Sequence, residues 1–140
     1  MRISARNVFA GNVRDVTKGA VNAEVTIILP GGEHIVSIIT IPSVDSLELA
    51  EGRPAFAIIK ASDVIVGKDL GVAKVSARNV LPGEVTTVVN GAVNSEVAIR
   101  LAGGTTIVSS ITKESVHALK LQAGDQVSAI IKASHVLIGV

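Results

Sequence analysis

Short apolar runs, rich in Val and Ile and separated by glycines, follow one another along the whole chain. β-Branched residues favour extended backbone, and glycines between such runs are typical of turns. The pattern predicts strands near Ile3–Phe9, Gly11–Thr17, Asn22–Leu29, His34–Thr40 and Arg53–Val66. The pair Gly31-Gly32 between two of these runs predicts a β-hairpin.

One segment departs from the strand pattern. Thr40 is a candidate N-cap, Pro42 falls in the first turn, and Gly52 follows the apolar residues. These start and stop signals predict a short helix between Thr40 and Leu49. Five strands and one short helix within about 65 residues predict a small closed barrel of the OB type.

The same order of elements occurs twice. Ser4-Ala5-Arg6-Asn7 returns as Ser76-Ala77-Arg78-Asn79, a shift of 72 residues that needs no gap anywhere. About 36 of the 66 residue pairs related by this shift are identical. The chain is therefore predicted to be all-β, with two tandem OB-like five-stranded barrels that each carry one short helix.

The duplication also predicts how the chain is divided. We place the first domain at residues 1–68, a connector at 69–74 and the second domain at 75–140. Because the connector is so short, the two halves should touch rather than move as beads on a flexible linker.

Composition excludes several classes of protein. Among 140 residues, 13 Lys and Arg balance 12 Asp and Glu, unlike a disordered tail or a polybasic nucleic-acid clamp. The absence of Cys, Trp and Tyr excludes disulfides, cysteine-bound zinc and most aromatic stacking platforms. No apolar run approaches the roughly 18 to 20 residues that span a bilayer, and no apolar leader follows Met1. We therefore expect a soluble, cytoplasmic protein without a membrane partner.

Several polar residues are identical in the two halves and predict a doubled site. Side chains alternate along a strand, so Ser4 and Arg6 would share one face, as would Lys60 and Ser62. Arg, Lys and Ser offer many N–H and O–H donors, which suit a small oxyanion. Backbone amides of the repeated Gly-Ala-Val-Asn turn could form a second anion pocket.

Structural roles for the same residues remain open. Arg6 could instead pair with Glu24, and Lys60 could be an ordinary solvated charge. The Gly-Ala-Val-Asn turn could be a packed interface turn, because its apolar residues are unusual in an exposed turn.

Other repeated polar residues are predicted to serve the fold. Asn7 and Glu24, with Asn79 and Glu96, are expected to cap or pair with backbone. The simplest role for four hydroxyl residues is at helix starts. They are Thr40, Ser43, Thr112 and Ser115.

Catalysis has little support. His34, His117 and His135 each align with a residue other than histidine, so a catalytic triad or histidine metal site would be asymmetric. A single repeated acid, Glu24 with Glu96, is weak evidence for acid–base chemistry. The Gly-Gly turns lack the spacing of a nucleotide-phosphate loop. We predict that the chain is not an enzyme and binds no bare metal cation.

The order of motifs resembles a known family. Ser-Ala-Arg-Asn, Gly-Ala-Val-Asn-x-Glu-Val, the segment Glu114–Leu119 and Ile-Ile-Lys-Ala-Ser occur in the order seen in the Mop domain of the molbindin family. The likeness covers nearly the whole chain, twice. It implies OB-like barrels in a symmetric homotrimer. It also implies a cytoplasmic protein that stores molybdate, with tungstate as a second ligand, at subunit and domain interfaces.

The resemblance also implies two types of binding site. The first type comprises Ser4, Ala5, Arg6, Lys60, Ala61 and Ser62, with Ser76, Ala77, Arg78, Lys132, Ala133 and Ser134 in the second half. The second type, built from backbone near a threefold axis, comprises Gly19, Ala20, Val21 and Asn22, with Gly91, Ala92, Val93 and Asn94.

The chain departs from the family pattern in two places. Val8 and Val80 stand where the family often has Gln, so that amide plays no part here. Asp63 and His135 differ beside the two Lys-Ala-Ser segments, which predicts unequal affinity or pH response at the two sites.

Two functions of other classes remain as alternatives. One is an OB-type nucleic-acid binder, which the near-neutral charge and missing stacking aromatics disfavour, so we predict no nucleic-acid partner. The other is a purely structural oligomer. The family's domain also occurs joined to transporter ATPases and DNA-binding regulators, but neither a phosphate loop nor a helix-turn-helix fits within this chain.

Overall fold

The computed structural model describes all 140 residues and repeats one order of elements in the two halves. The strands of the first half are β1 (Asn7–Lys18), β2 (Asn22–Ile28), β3 (His34–Thr40), β4 (Pro54–Ile59) and β5 (Ile65–Gly67). Those of the second half are β6 (Asn79–Asn90), β7 (Asn94–Leu101), β8 (Thr106–Thr112), β9 (Gln126–Ile131) and β10 (Leu137–Gly139). The helices are α1 (Ile41–Ser46) and α2 (Lys113–Leu119). The predicted all-β fold with one short helix in each half is confirmed.

The predicted strands Ile3–Phe9 and Gly11–Thr17 fall in one long strand, β1, except for residues 3–6, which precede it. Gly11 lies inside this strand, where an added Cβ would come 2.5 Å from the carbonyl oxygen of Ile28 in β2. The glycine therefore permits a close approach of two backbones and does not mark a turn.

The predicted strand Arg53–Val66 is divided in two. β4 ends at Ile59, a 3₁₀ turn covers Ala61–Asp63, and β5 follows. The backbone N–H of Asp63 closes this turn by donating to the carbonyl oxygen of Lys60 at 2.9 Å. The turn carries β5 away from its own half.

Each five-stranded sheet takes its last strand from the other half. The strand orders are β10-β4-β1-β2-β3 and β5-β9-β6-β7-β8. β10 is antiparallel to β4, with Leu137 opposite Ile58, and β5 is antiparallel to β9, with Ile65 opposite Ile130. The predicted contact between the halves is thus made through exchanged strands. The domain limits 1–68 and 75–140 stay a prediction, because both sheets draw on both sides of the connector.

The hydrophobic core is shared in the same way. One cluster of 25 buried residues includes side chains of both halves, among them Val25, Ile59, Val97 and Ile131. A unit of about 60 residues buries too little surface to be robust alone. The joint core therefore makes the two halves one folding unit.

Two buried asparagines bind the backbone of the opposite half. Asn79 Nδ2 donates to the Val36 carbonyl oxygen at 2.8 Å, and its Oδ1 accepts from the Val36 N–H at 2.7 Å. Asn7 makes the same pair of bonds with Val108, both at 2.8 Å. Each amide side chain therefore acts as one extra link in a β-ladder. The prediction that these asparagines pair with backbone is confirmed.

Two buried serines hold the segments that lead into the exchanged strands. Ser37 Oγ donates to the carbonyl oxygen of Val136, and Ser109 Oγ donates to that of Val64, both at 2.6 Å. These bonds are reciprocal, like those of the asparagines. The halves are therefore related by approximate two-fold symmetry.

The two Gly-Gly hairpin turns meet near this symmetry axis. An added Cβ on Gly31 would lie 2.6 Å from the carbonyl oxygen of Gly103. Glu33 Oε1 accepts from the Gly103 N–H at 2.7 Å, whereas the equivalent residue in the second half is Thr105. The hairpins therefore need glycine for their mutual contact as well as for their own turns.

The helix starts follow the sequence signals. Thr40 Oγ1 accepts from the Ser43 N–H at the start of α1, and Thr112 Oγ1 accepts from the Ser115 N–H at the start of α2. The predicted helix-start roles are confirmed. Both helices are short, and no helix of the structure combines the length and the apolar character that crossing a membrane requires.

Lys68, the residue before the connector, is bound to the second half. Its Nζ donates to the carbonyl oxygens of Leu119 and Lys120, both at 3.1 Å, and to Asp125 Oδ2 at 2.9 Å. A cation at the end of a helix satisfies carbonyls that have no partner within the helix. Val140 occupies the equivalent position in the second half, so this contact occurs once.

Replacing Asn79 by Ala should destabilise the protein by about 2–4 kcal/mol, because the N–H and carbonyl of Val36 both lose their partner. Urea unfolding at neutral pH measures the change. Asn12→Ala, an exposed position in β1, is the matched control and should change stability little. Equal stability of the two variants would contradict the ladder role of Asn79.

Acidification should remove part of the stability through Asp125. Hydrogen bonds from Lys68 and from the Gln122 backbone hold the pKa of Asp125 below its ordinary value. A group with a lowered folded-state pKa stabilises the protein above its unfolded-state pKa, about 3.9, and loses that effect as pH falls through the folded value. Thermal unfolding of Asp125→Asn should therefore show a smaller fall in Tm between neutral pH and about pH 3 than the wild type. Asp45→Asn, at an exposed ion pair, should keep the wild-type profile.

Candidate functional site

The structure brings the Ser-Ala-Arg and Lys-Ala-Ser motifs together at one end of each sheet. Asn7 of β1 is opposite Ile59 of β4, and the residues that flank this pair are Arg6 and Lys60. In the second half, Asn79 is opposite Ile131. Arg78 and Lys132 therefore flank the same point of the other sheet.

The motif residues themselves lie outside the strands, which corrects one prediction. Ser4 to Arg6 precede β1, and Ala61 and Ser62 belong to a 3₁₀ turn. Alternation of side chains along a strand therefore does not order these residues. What places them side by side is the register of β1 and β4.

Most of the predicted first-type donors are open to solvent. The exposed residues are Ser4, Arg6, Lys60, Ser62, Ser76, Arg78, Lys132 and Ser134. The alanines between them are half-buried at Ala5, Ala61 and Ala77 and buried at Ala133. The side-chain ammoniums of Lys60 and Lys132 pair with no carboxylate, whereas those of Lys18 and Lys68 do. Two unpaired cations thus stand beside the two arginines.

Each motif arginine binds a glutamate of the opposite half. Arg6 Nη1 donates to Oε1 and Oε2 of Glu96 at 2.6 and 2.9 Å. Arg78 Nη1 and Nη2 donate to the two carboxylate oxygens of Glu24 at 2.7 and 2.9 Å. The hydrogen bond and charge of Glu24 raise the pKa of Arg78 above its ordinary value.

The glutamate contacts change two expectations. One alternative from the sequence was an ion pair between Arg6 and Glu24. Arg6 does form an ion pair, but its partner is Glu96 of the other half. The prediction that Glu24 and Glu96 cap or pair with backbone is wrong, because their carboxylates bind guanidinium groups. The one sequence signal for this role was that no other acid is repeated in both halves.

The Gly-Ala-Val-Asn segments form the turns between β1 and β2 and between β6 and β7. The Gly19 N–H donates to the Asn22 carbonyl oxygen at 2.8 Å, and Gly91 and Asn94 do the same at 2.9 Å. These glycine amides are therefore used within the turn. Val21 and Val93 at the turn tips are 72% and 73% exposed. No other part of the chain covers these two apolar side chains.

A cleft of about 270 Å³ lies beside each turn, and the two are lined by equivalent residues. Glu24 is in the wall of the first cleft with Gly19 and Asn22, and Glu96 is in the wall of the second. The glutamates thus join the second-type turn of one half to the first-type arginine of the other.

The two Lys-Ala-Ser segments differ in the residue that follows. His135 Nδ1 lies 3.7 Å from Asp63 Oδ1, so these equivalent positions face each other between the halves. A histidine and a carboxylate form an ion pair when the histidine is protonated, whereas two copies of Asp would repel. The divergence at this position therefore makes the contact complementary.

The histidines are dispersed. His34 contacts Arg14, His117 lies on α2, and His135 faces Asp63. No group of three or more His, Cys, Asp or Glu side chains is placed to hold a metal ion. The groups that the fold brings together at the Ser-Ala-Arg and Lys-Ala-Ser motifs are hydrogen-bond donors and cations.

The chain is similar to known proteins along nearly its whole length. The TOBE domain model matches residues 3–66 and again residues 75–138. The fold is similar to the crystal structure of the cytoplasmic molybdate-binding protein ModG with molybdate bound, with a TM-score of 0.96 and 49% identity. That match covers 100% of this chain and 99% of ModG.

Two longer proteins are also similar. The molybdenum-pterin-binding protein MopA of Rhodobacter capsulatus is 40% identical over 138 residues, which cover 99% of this chain and 52% of MopA. The molybdenum transport protein ModE of Herbaspirillum seropedicae is 37% identical over 140 residues, 100% of this chain and 52% of ModE. The chain spans about half the length of these curated relatives. With both halves matched and the predicted Mop resemblance confirmed, the chain belongs to the TOBE (Mop) domain family and carries that domain twice.

Proposed function

We propose that this protein binds molybdate in the cytoplasm for intracellular storage and homeostasis of molybdenum, and that it acts by binding, without catalysis. The similarity to ModG over essentially both full chains supports this function and location. The observation that carries the proposal is the paired placement of Arg6 with Lys60, and of Arg78 with Lys132, at equivalent sheet ends.

The chemistry of these donors suits a tetrahedral dianion. Guanidinium, ammonium and hydroxyl groups all donate hydrogen bonds. An unprotonated oxyanion has only acceptor atoms and can therefore accept from all of them. Hydrogen bonds to charged groups contribute about 1.5–3 kcal/mol each, and several of them offset the dehydration of the ion. Tungstate has the same shape and charge as molybdate and is proposed as a second ligand.

We assign two types of site to the repeated motifs. First-type sites use the Ser-Ala-Arg and Lys-Ala-Ser residues of both halves. Second-type sites use backbone of the turns Gly19–Asn22 and Gly91–Asn94. The exposure of nearly all of these residues indicates that the chain alone encloses no ion. Neighbouring chains would complete the pockets.

A homotrimer would supply that enclosure. Val21, Val89 and Val93 are all more than 60% exposed and lie in or beside the turns. Apolar side chains gathered at a repeated turn are typical of a surface that another protein covers. We therefore propose that the turns pack against their equivalents around a threefold axis, with oxyanions held between subunits.

Neither alternative function, a nucleic-acid binder or a purely structural oligomer, has a specific observation in its favour. A nucleic-acid groove combines a positive track with aromatic stacking groups. Here 13 Lys and Arg are balanced by 12 Asp and Glu, and Phe9 and Phe56 are partly buried. A purely structural oligomer gives no reason for a lysine to stand at the same place in both halves, as Lys60 and Lys132 do.

Lys60→Ala should weaken molybdate binding at the affected first-type sites by about 2–4 kcal/mol, because the anion loses a charged donor. That is a loss of roughly 30-fold or more in affinity. Titration calorimetry with sodium molybdate measures it, and urea unfolding should show a stable fold. Lys74→Ala in the connector removes the same charge and should bind like the wild type. An unchanged affinity for Lys60→Ala would refute its assignment.

Val21→Glu combined with Val93→Glu should dissociate the oligomer, because three carboxylates would meet at each of the two sets of turns proposed to pack. Sedimentation velocity should report a trimer for the wild type and a monomer for this variant. Val72→Glu, at a 97% exposed position of the connector, should remain trimeric. A wild-type monomer, or a trimeric double variant, would contradict the proposed interface.

A further inference from the structure

The two Arg–Glu pairs have a property that an ordinary surface ion pair lacks. Each joins the arginine of a first-type motif in one half to a wall of the turn cleft in the other. Arg6 reaches the cleft of Gly91–Asn94 through Glu96, and Arg78 reaches that of Gly19–Asn22 through Glu24. The guanidinium groups thus stand between the two types of proposed site.

A carboxylate on the arginine occupies donors that an oxyanion would use. Arg78 uses both terminal nitrogens on Glu24, and Arg6 uses Nη1 on both oxygens of Glu96. An incoming dianion must share or displace this internal anion. Solvent and ions can reach both pairs, since the side chains of Arg6 and Arg78 are 55% and 53% exposed. Exposed ion pairs add little net stability, so their rearrangement costs the fold little.

We propose that Glu24 and Glu96 are internal competitors for the oxyanion, which lower its affinity at Arg78 and Arg6. This inference rests on the proposed function. It assigns the one repeated acid of the chain a role in setting affinity, because molybdate must displace or share with a carboxylate of the protein at each arginine.

Glu84 provides a matched control within the same chain. Its carboxylate accepts from Arg100 Nη2 at 3.2 Å, and both side chains are about as exposed as those of the motif pairs. The pair lies on strands β6 and β7, where the register puts Glu84 opposite Arg100, away from the turn at 91–94. Glu84→Gln removes the same charge from an equivalent contact that touches neither proposed site.

The test is calorimetric titration of sodium molybdate into the wild type, a Glu24→Gln/Glu96→Gln double variant and Glu84→Gln, at low and high salt. The double variant should bind about three- to tenfold more tightly at low salt, because one negative charge beside each dianion is gone. Its advantage should shrink at high salt, where charges are screened. Glu84→Gln should match the wild type.

The outcomes separate this inference from the proposed function. A wild type that takes up no molybdate refutes the function. A wild type that binds, together with a double variant of equal or weaker affinity, refutes the competitor role and leaves the function standing. If thermal unfolding shows that the double variant is not folded, the single variants Glu24→Gln and Glu96→Gln are titrated instead. Each should then tighten binding at half of the first-type sites, and unchanged affinity in both would refute the competitor role.

Discussion

The exchange of the last strand between the halves is the constraint on which the structure depends. β5 and β10 are three residues each and carry backbone groups that need partners. The 3₁₀ turn before each of them directs the strand to the opposite sheet, where β9 and β4 supply the hydrogen bonds. Buried amide and hydroxyl side chains add further links across the same boundary. Neither sheet is complete without the other half.

The exchange also decides where the functional groups lie. Because the 3₁₀ turns sit between the two sheets, the Lys-Ala-Ser segments of both halves are close enough for Asp63 and His135 to face each other. The arginines that precede β1 and β6 reach glutamates of the opposite half for the same reason. The candidate site therefore depends on the intact pair of domains, since each half supplies the carboxylate that binds the other's arginine.

Signals from a few neighbouring residues predicted much of the fold. The turn glycines, the Thr N-caps and the β-branched runs predicted the hairpins, the helices and most strands, because each rests on the preferences of a few neighbouring residues. Gly11 misled for an instructive reason. A glycine in a strand is equally suited to a turn and to a close backbone approach, and only the position of Ile28 on the next strand distinguishes the two.

The sequence by itself determined the duplication, the all-β class and the residue types of the candidate site, because repeats and donor chemistry are properties of the chain that do not depend on long-range contacts. Tertiary structure alone decided that β5 and β10 change sheets and that Arg6 meets Glu96 while Arg78 meets Glu24. A tandem repeat offers each arginine two equivalent glutamates, one in its own half and one in the other. Only the packing of the halves, set by hydrogen bonds between residues far apart in the chain, selects the partner.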